Sequence, residues 1–137
     1  MMGKIKLEVA TPSGIITSIE VDTVAAPGSE GEFGVLPGHI NFLSGIVPGE
    51  LRYSIGDKTE YMSVDAGFAE VSNDRVSVLV DSAEISSDID VERAKSAMER
   101  AKQRLDQRKD KSDIDFLRAE SALKRSLSRI KVSEKNR

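Results

Sequence analysis

The sequence predicts an α+β protein. An N-terminal antiparallel β-sandwich over residues 1–85 is followed by a C-terminal antiparallel two-helix hairpin over residues 86–137. Three observations carry this expectation. Short runs with period-two alternation, broken by regular turns, fill the chain as far as Ser87. Beyond it the apolar period becomes helical. The charge changes sign at the same boundary: residues 1–87 hold 5 basic and 13 acidic residues (−8), residues 88–137 hold 15 and 10 (+5).

The strands come first. In KIKLEVAT, Ile5, Leu7 and Val9 alternate with Lys4, Lys6 and Glu8, the pattern of a half-buried strand. IEVDTVAAP puts Ile19, Val21 and Thr23 on one face of a second strand. LRYSIGDKTEYMSV predicts a hairpin turned at Gly56-Asp57, and FAEVSNDRVSVLVD another turned at Asn73-Asp74. The stretch GSEGEFGVLPGHINF, Gly28 to Phe42, reads as an irregular loop because of its glycines and Pro37-Gly38. It is either a plain edge loop or a contact loop, since it gathers Glu30, Glu32, apolar residues and the single histidine, His39.

The helices open on a repeat. DIDVERA at 88–94 returns as DIDFLRA at 113–119. Val91, Ala94, Met98, Ala101 and Leu105 form one apolar stripe, and Phe116, Ala119, Leu123, Ser126 and Ile130 take the same offsets, widened by Leu127. Asp90 is the expected N-cap of the first helix, with Ile89 and Ala94 at the staple positions, and Asp115, Ile114 and Ala119 repeat the arrangement. RKDKSD, beginning at Arg108, is the polar turn between them. The repeat also carries arginines at matching offsets: Arg93, Arg100, Arg104, then Arg118, Arg125, Arg129. Each trio is placed opposite the stripe, as a solvated face or as forked donors for phosphate oxygens. Arg93 lies one turn inside a helix start, where free amides favour anions.

Composition excludes several classes. With no cysteine there is no disulfide framework or thiolate metal site, and one histidine leaves His-based nucleophilic and zinc schemes without parts. GDKT at 56–59 lacks the upstream glycine of a phosphate loop. No apolar run reaches the ~20 residues of a membrane span, and MMGKIKLEVA has no signal-peptide core, so an intracellular chain without membrane insertion is expected. A nucleic-acid-binding hairpin is the alternative. It is disfavoured because Phe116, the only aromatic in the hairpin, belongs to the apolar stripe and leaves nothing to stack on bases.

GSEGEFGVLPGH, then GFAEV at 67–71, VSVLVDSAE at 76–84 and the helical repeat together resemble the epsilon subunit of bacterial F-type ATP synthases, over essentially the whole chain. IDVERA resembles the motif with which Bacillus-like members bind ATP. Asp65-Ala66 departs from the Ser-Gly often found before GF, while Gly67 keeps the flexible position. The resemblance implies a non-catalytic rotor subunit of a proton-translocating complex at the cytoplasmic face of the membrane. The sandwich would join the gamma subunit and rest on the c-ring, with Glu32 and His39 as ring contacts. The hairpin would permit ATP hydrolysis when folded and block it when extended into the alpha/beta hexamer. ATP would be a regulatory ligand held by Glu84, Ile89, Asp90, Arg93, Ala94, Arg100, Arg125 and Arg129. No metal and no catalytic residue is implied.

Overall fold

The computed structural model describes residues 3–39, 41–106 and 113–135, with the backbone alone for 113–115. Ten strands come first: β1 (Ile5–Thr11), β2 (Gly14–Val21), β3 (Thr23–Gly28), β4 (Gly31–Val35), β5 (Phe42–Ile46), β6 (Gly49–Ile55), β7 (Lys58–Val64), β8 (Gly67–Ser72), β9 (Arg75–Val80) and β10 (Ala83–Ile85). A 3-10 turn, Ser86–Asp88, leads into α1 (Val91–Asp106), and α2 (Asp113–Ser133) follows.

The strands pair in the order β10-β7-β6-β3-β5-β8-β9-β1-β2, with β4 added to β3. The two halves of this path join through a single residue pair, Gly28 opposite Ile46. That narrow junction lets one half fold over the other, so both inner faces feed one aliphatic core. Ile5, Leu7 and Val9 of β1 are fully inaccessible, as are Leu51 of β6, Met62 of β7 and Val76 of β9. Period-two alternation on β1 and β9 places Ile5, Leu7, Val9 and Val76 inward.

Both expected hairpins form. Ser72 pairs with Arg75 across a turn in which Asn73 and Asp74 have φ of 52° and 58°, the two left-handed residues of a type I′ turn. Ile55 pairs with Lys58, and Gly56 supplies φ 59°.

Three expectations are corrected. The strand expected through Ile19, Val21 and Thr23 breaks at Asp22. Its carboxylate accepts the Gly56 amide at 2.7 Å and pairs with Lys4, which ends β2 at Val21. Ile19 and Val21 share one face, opposite Leu7 and Ile5 of β1, with Val21 buried and Ile19 partly exposed on this edge strand. Part of the Gly28–Phe42 loop is β4, paired with β3 from Val24–Val35 to Gly28–Gly31. The sandwich is also not wholly antiparallel, because β1 runs parallel to β9.

Gly67 is required for a reason other than flexibility. A Cβ there would lie 2.0 Å from the Leu79 carbonyl oxygen and 2.7 Å from the Val80 Cα. The strand partners approach too closely for any side chain.

The helices follow the expected stripe. Ala94, Ala101 and Ala119 are buried where α1 and α2 pack together. Leu127, expected to widen the stripe, is 38% exposed. α2 also lies against β6, β7 and the 3-10 turn. Its last turn is fastened there: Val132 is buried, and the Lys135 ammonium lies 5.4 Å from the Tyr61 ring centre and 3.8 Å from Glu50. No helix among the described residues is long and apolar enough to cross a membrane.

Candidate functional site

The start of α1 is built as its sequence suggests. Asp90 Oδ1 accepts the Arg93 amide at 3.0 Å, and the Ala94 amide bonds the Asp90 carbonyl at 3.0 Å. This is a side-chain cap on the first turn. Ile89 is 4% exposed and Ala94 is inaccessible, so both anchor the helix start and offer a ligand little side-chain surface. The cap also corrects an expectation. The Arg93 amide is taken by Asp90, so this amide is not open to an anion, which would meet the exposed Arg93 guanidinium. The matching cap at Asp115 is not reproduced: α2 already begins at Asp113, and the side chains of residues 113–115, like Arg108, lie outside the described residues.

The arginines divide within α2. Arg93, Arg100 and Arg104 of α1 and Arg118 of α2 are exposed. Arg125 and Arg129, read as part of a solvated face or as phosphate donors, turn toward the sandwich. Arg129 forms a fork with Glu84, donating from Nε to Oε1 at 2.6 Å and from its terminal nitrogen to Oε2 at 3.2 Å. Arg125 Nε stands 3.7 Å from Asp65 Oδ2. The reason is the docking of α2 on β6 and β7, which carries this face of the helix against the end of β7 and the start of β10. Glu84 sits on β10 opposite Ser63, and Asp65 directly follows β7. The expected residues Glu84, Arg125 and Arg129 are therefore brought together, and Arg118 and Ser121 extend the same side of α2.

The second expected site, Glu32 and His39, is placed differently. Glu32 lies on β4, exposed, and is held in a two-pronged pair by Arg52 of β6. The hydrogen bond from Arg52 holds the Glu32 carboxyl below its ordinary pKa, and the Lys4 bond followed by the Gly56 amide does the same for Asp22. Both folded-state values are depressed, so their stabilisation is complete above the unfolded carboxylate range of about 4. It is lost as pH falls through the lower folded values. In an NMR-monitored acid titration, Glu32 should titrate below an ordinary glutamate, and Arg52→Ala should restore its midpoint. His39 is half-buried near Phe42, their ring centres 6.1 Å apart in an edge-to-face arrangement.

An apolar row across the outer face of the sandwich escaped the sequence analysis. Phe68 pairs with Leu79, Leu79 with Ala10, and Ala10 with Ile15, in adjacent strands β8, β9, β1 and β2. Phe68, Leu79 and Ile15 are 65%, 62% and 63% exposed, and Leu43 of neighbouring β5 is 69% exposed. The signal was present: Phe68 and Leu79 fall out of phase with the inward residues Ala69, Val71, Val78 and Val80. Among the described residues, no group of three or more His, Cys, Asp or Glu could hold a metal ion.

Two family models divide the chain where the strands give way to helices. The beta-sandwich domain of the ATP synthase delta/epsilon chain matches residues 4–86, and its long alpha-helix domain matches residues 87–134. The chain belongs to the ATP synthase delta/epsilon family. It is 52% identical over 97 residues to the ATP synthase epsilon chain of Nitratidesulfovibrio vulgaris strain Miyazaki F, covering 71% of this chain and 72% of that one. It is 52% identical to the epsilon chain of Syntrophobacter fumaroxidans over 99 residues, 72% and 74% of the two chains. A chain of the Euglena gracilis mitochondrial ATP synthase structure with OSCP, F1 and c-ring superposes with a TM-score of 0.78 at 25% identity, covering 91% of this chain and 78% of that chain. A chain of the Tetrahymena thermophila mitochondrial central stalk and c-ring shares the fold, with a TM-score of 0.65 at 12% identity over 96% and 98% of the chains. The epsilon-type subunit is accordingly a non-catalytic component of the ATP synthase stalk, with ATP synthesis and ion transport as the activities of the complex.

Proposed function

We propose that this epsilon-type subunit couples the catalytic sector to a proton-conducting c-ring from the cytoplasmic face of the membrane, and that its helical pair is an ATP-responsive regulator. The observation that carries the regulatory half is the arginine grouping. Arg125 and Arg129 converge on one side of the docked α2, while Arg93 follows the capped start of α1 and Arg100 lies two turns further on. Forked guanidinium donors suit phosphate oxygens. Glu84 and Asp90 complete the proposed nucleotide surface, and the buried Ile89 and Ala94 hold the helix start beneath it. ATP bound to the docked form would hold the helices down and permit hydrolysis. With the helices released toward the alpha/beta hexamer, hydrolysis would be blocked. The ligand shifts this balance only by its preference for the docked form.

The gamma subunit is the proposed partner of the exposed row Phe68, Leu79, Ile15 and Leu43, a patch of the kind that marks protein interfaces. Glu32 and His39 are the proposed c-ring contacts. Glu32→Ala and His39→Ala should leave the sandwich folded and lower coupled proton transport in the assembled complex. Unchanged transport, or an unfolded domain, would remove the assignment.

Calorimetric titration of the isolated chain with ATP is the direct test. Saturable binding without phosphate release is expected. Absence of binding overturns the regulatory reading, and phosphate release overturns its non-catalytic character.

A further inference from the structure

The two arginines of α2 assigned to the phosphates are not held equally. Arg129 is tied by two hydrogen bonds to Glu84, and its side chain is 24% exposed. Arg125 has one ion-pair partner among the described residues, Asp65 at 3.7 Å, and its side chain is 43% exposed. Asp65 itself is fixed. Its Oδ1 accepts the Ala66 amide at 2.7 Å, its amide donates to the Ser82 carbonyl at 2.9 Å, and its side chain is 18% exposed. A rigid carboxylate thus faces a movable guanidinium.

We infer that Asp65 sets the affinity of the nucleotide surface by competing with phosphate for Arg125, and that it holds α2 on the sandwich when no anion is bound. The inference rests on the nucleotide reading above and adds a residue to it. Arg125 has room to leave: it lines a shallow cavity of about 360 Å³ with Arg118, Ser121 and Leu117. A polyphosphate entering there draws Arg125 away from Asp65, so part of its binding energy offsets the loss of that pair. Glu84 acts differently, because its fork to Arg129 is closer and better directed. An exposed pair of this separation corresponds to a change of about two- to fivefold in an equilibrium constant.

The test compares the full chain with Asp65→Asn, which keeps the side chain's shape and removes its charge. Asp57→Asn at the exposed β6–β7 turn is the control for net charge. Two readouts are taken at low ionic strength: calorimetric ATP affinity, and hydrogen-exchange protection of α2 amides without nucleotide. Asp65→Asn should bind ATP about two- to fivefold more tightly than Asp57→Asn and show about two- to fivefold less protection of α2. Equal behaviour of the two variants, or weaker ATP binding by Asp65→Asn, overturns the inference. If no variant binds ATP, the nucleotide reading fails by itself, and so does the competition with phosphate. The exchange data alone then decide whether Asp65 holds α2.

Discussion

Arg93→Ala is expected to weaken ATP binding roughly ten- to hundredfold while leaving the fold intact. A charge-assisted bond to an anion contributes about 1.5–3 kcal/mol, which sets that range. The side chain is exposed, and the cap at the start of α1 uses the Arg93 amide rather than its guanidinium, so truncation does not disturb the helix start. Lys102→Ala is the appropriate control. It removes one exposed charge from α1 nine residues on, half a turn away around the helix at about 100° per residue. In the assembled enzyme, Arg93→Ala should raise the ATP concentration needed to relieve inhibition, because a ligand that loses its contacts no longer favours the docked conformer. Equal affinities for the two variants, measured at matched salt, would reduce the repeated arginines to a solvated face.

Gly67→Ala should destabilise the sandwich by about 3 kcal/mol, at the upper end of the overpacking range. The added methyl would fall 2.0 Å from a carbonyl oxygen and 2.7 Å from a Cα, both backbone atoms of β9 that cannot swing aside. Relief requires β8 and β9 to separate where Gly67 pairs with Val80, and this also disturbs the pairing of Gly67 with Ile46 of β5. Gly34→Ala makes the comparison sharp, since its added methyl would lie 4.0 Å from the Val24 carbonyl oxygen, so no comparable loss is expected. The difference between their urea midpoints is the measurement, and similar midpoints would refute the close-approach account.

What the sequence disclosed and what it withheld separate along physical lines. The turns at Gly56 and Asn73-Asp74 and the cap at Asp90 are local, each fixed by the chemistry of two to four neighbouring residues, and each forms as read. The break at Asp22 was hidden because alternation keeps its parity through residues 19, 21 and 23 while the chain turns. Only the distant Lys4 and Gly56 reveal why. β4 was hidden because Gly31-Glu32-Phe33-Gly34 has little strand preference of its own and is made a strand by pairing with β3. The parallel pairing of β1 with β9 joins Lys6 to Arg75, a partnership no local pattern encodes. At the site, the arginines and their spacing were legible. Their partners were not, because Asp65 and Glu84 meet them only after α2 docks on the sheet.

The strand order ends on β2, which pairs with β1 alone among the described residues and shows Ile15, Ile16 and Ile19 to solvent. An edge of this kind is a template for a further strand, from a partner or from another copy of the chain. Neither a proline nor a lysine interrupts Gly14–Val21, and Glu20 is its only charge. Outside its complex the subunit therefore carries an aggregation liability at one rim. A lysine at Ile16 should raise its solubility without touching the core.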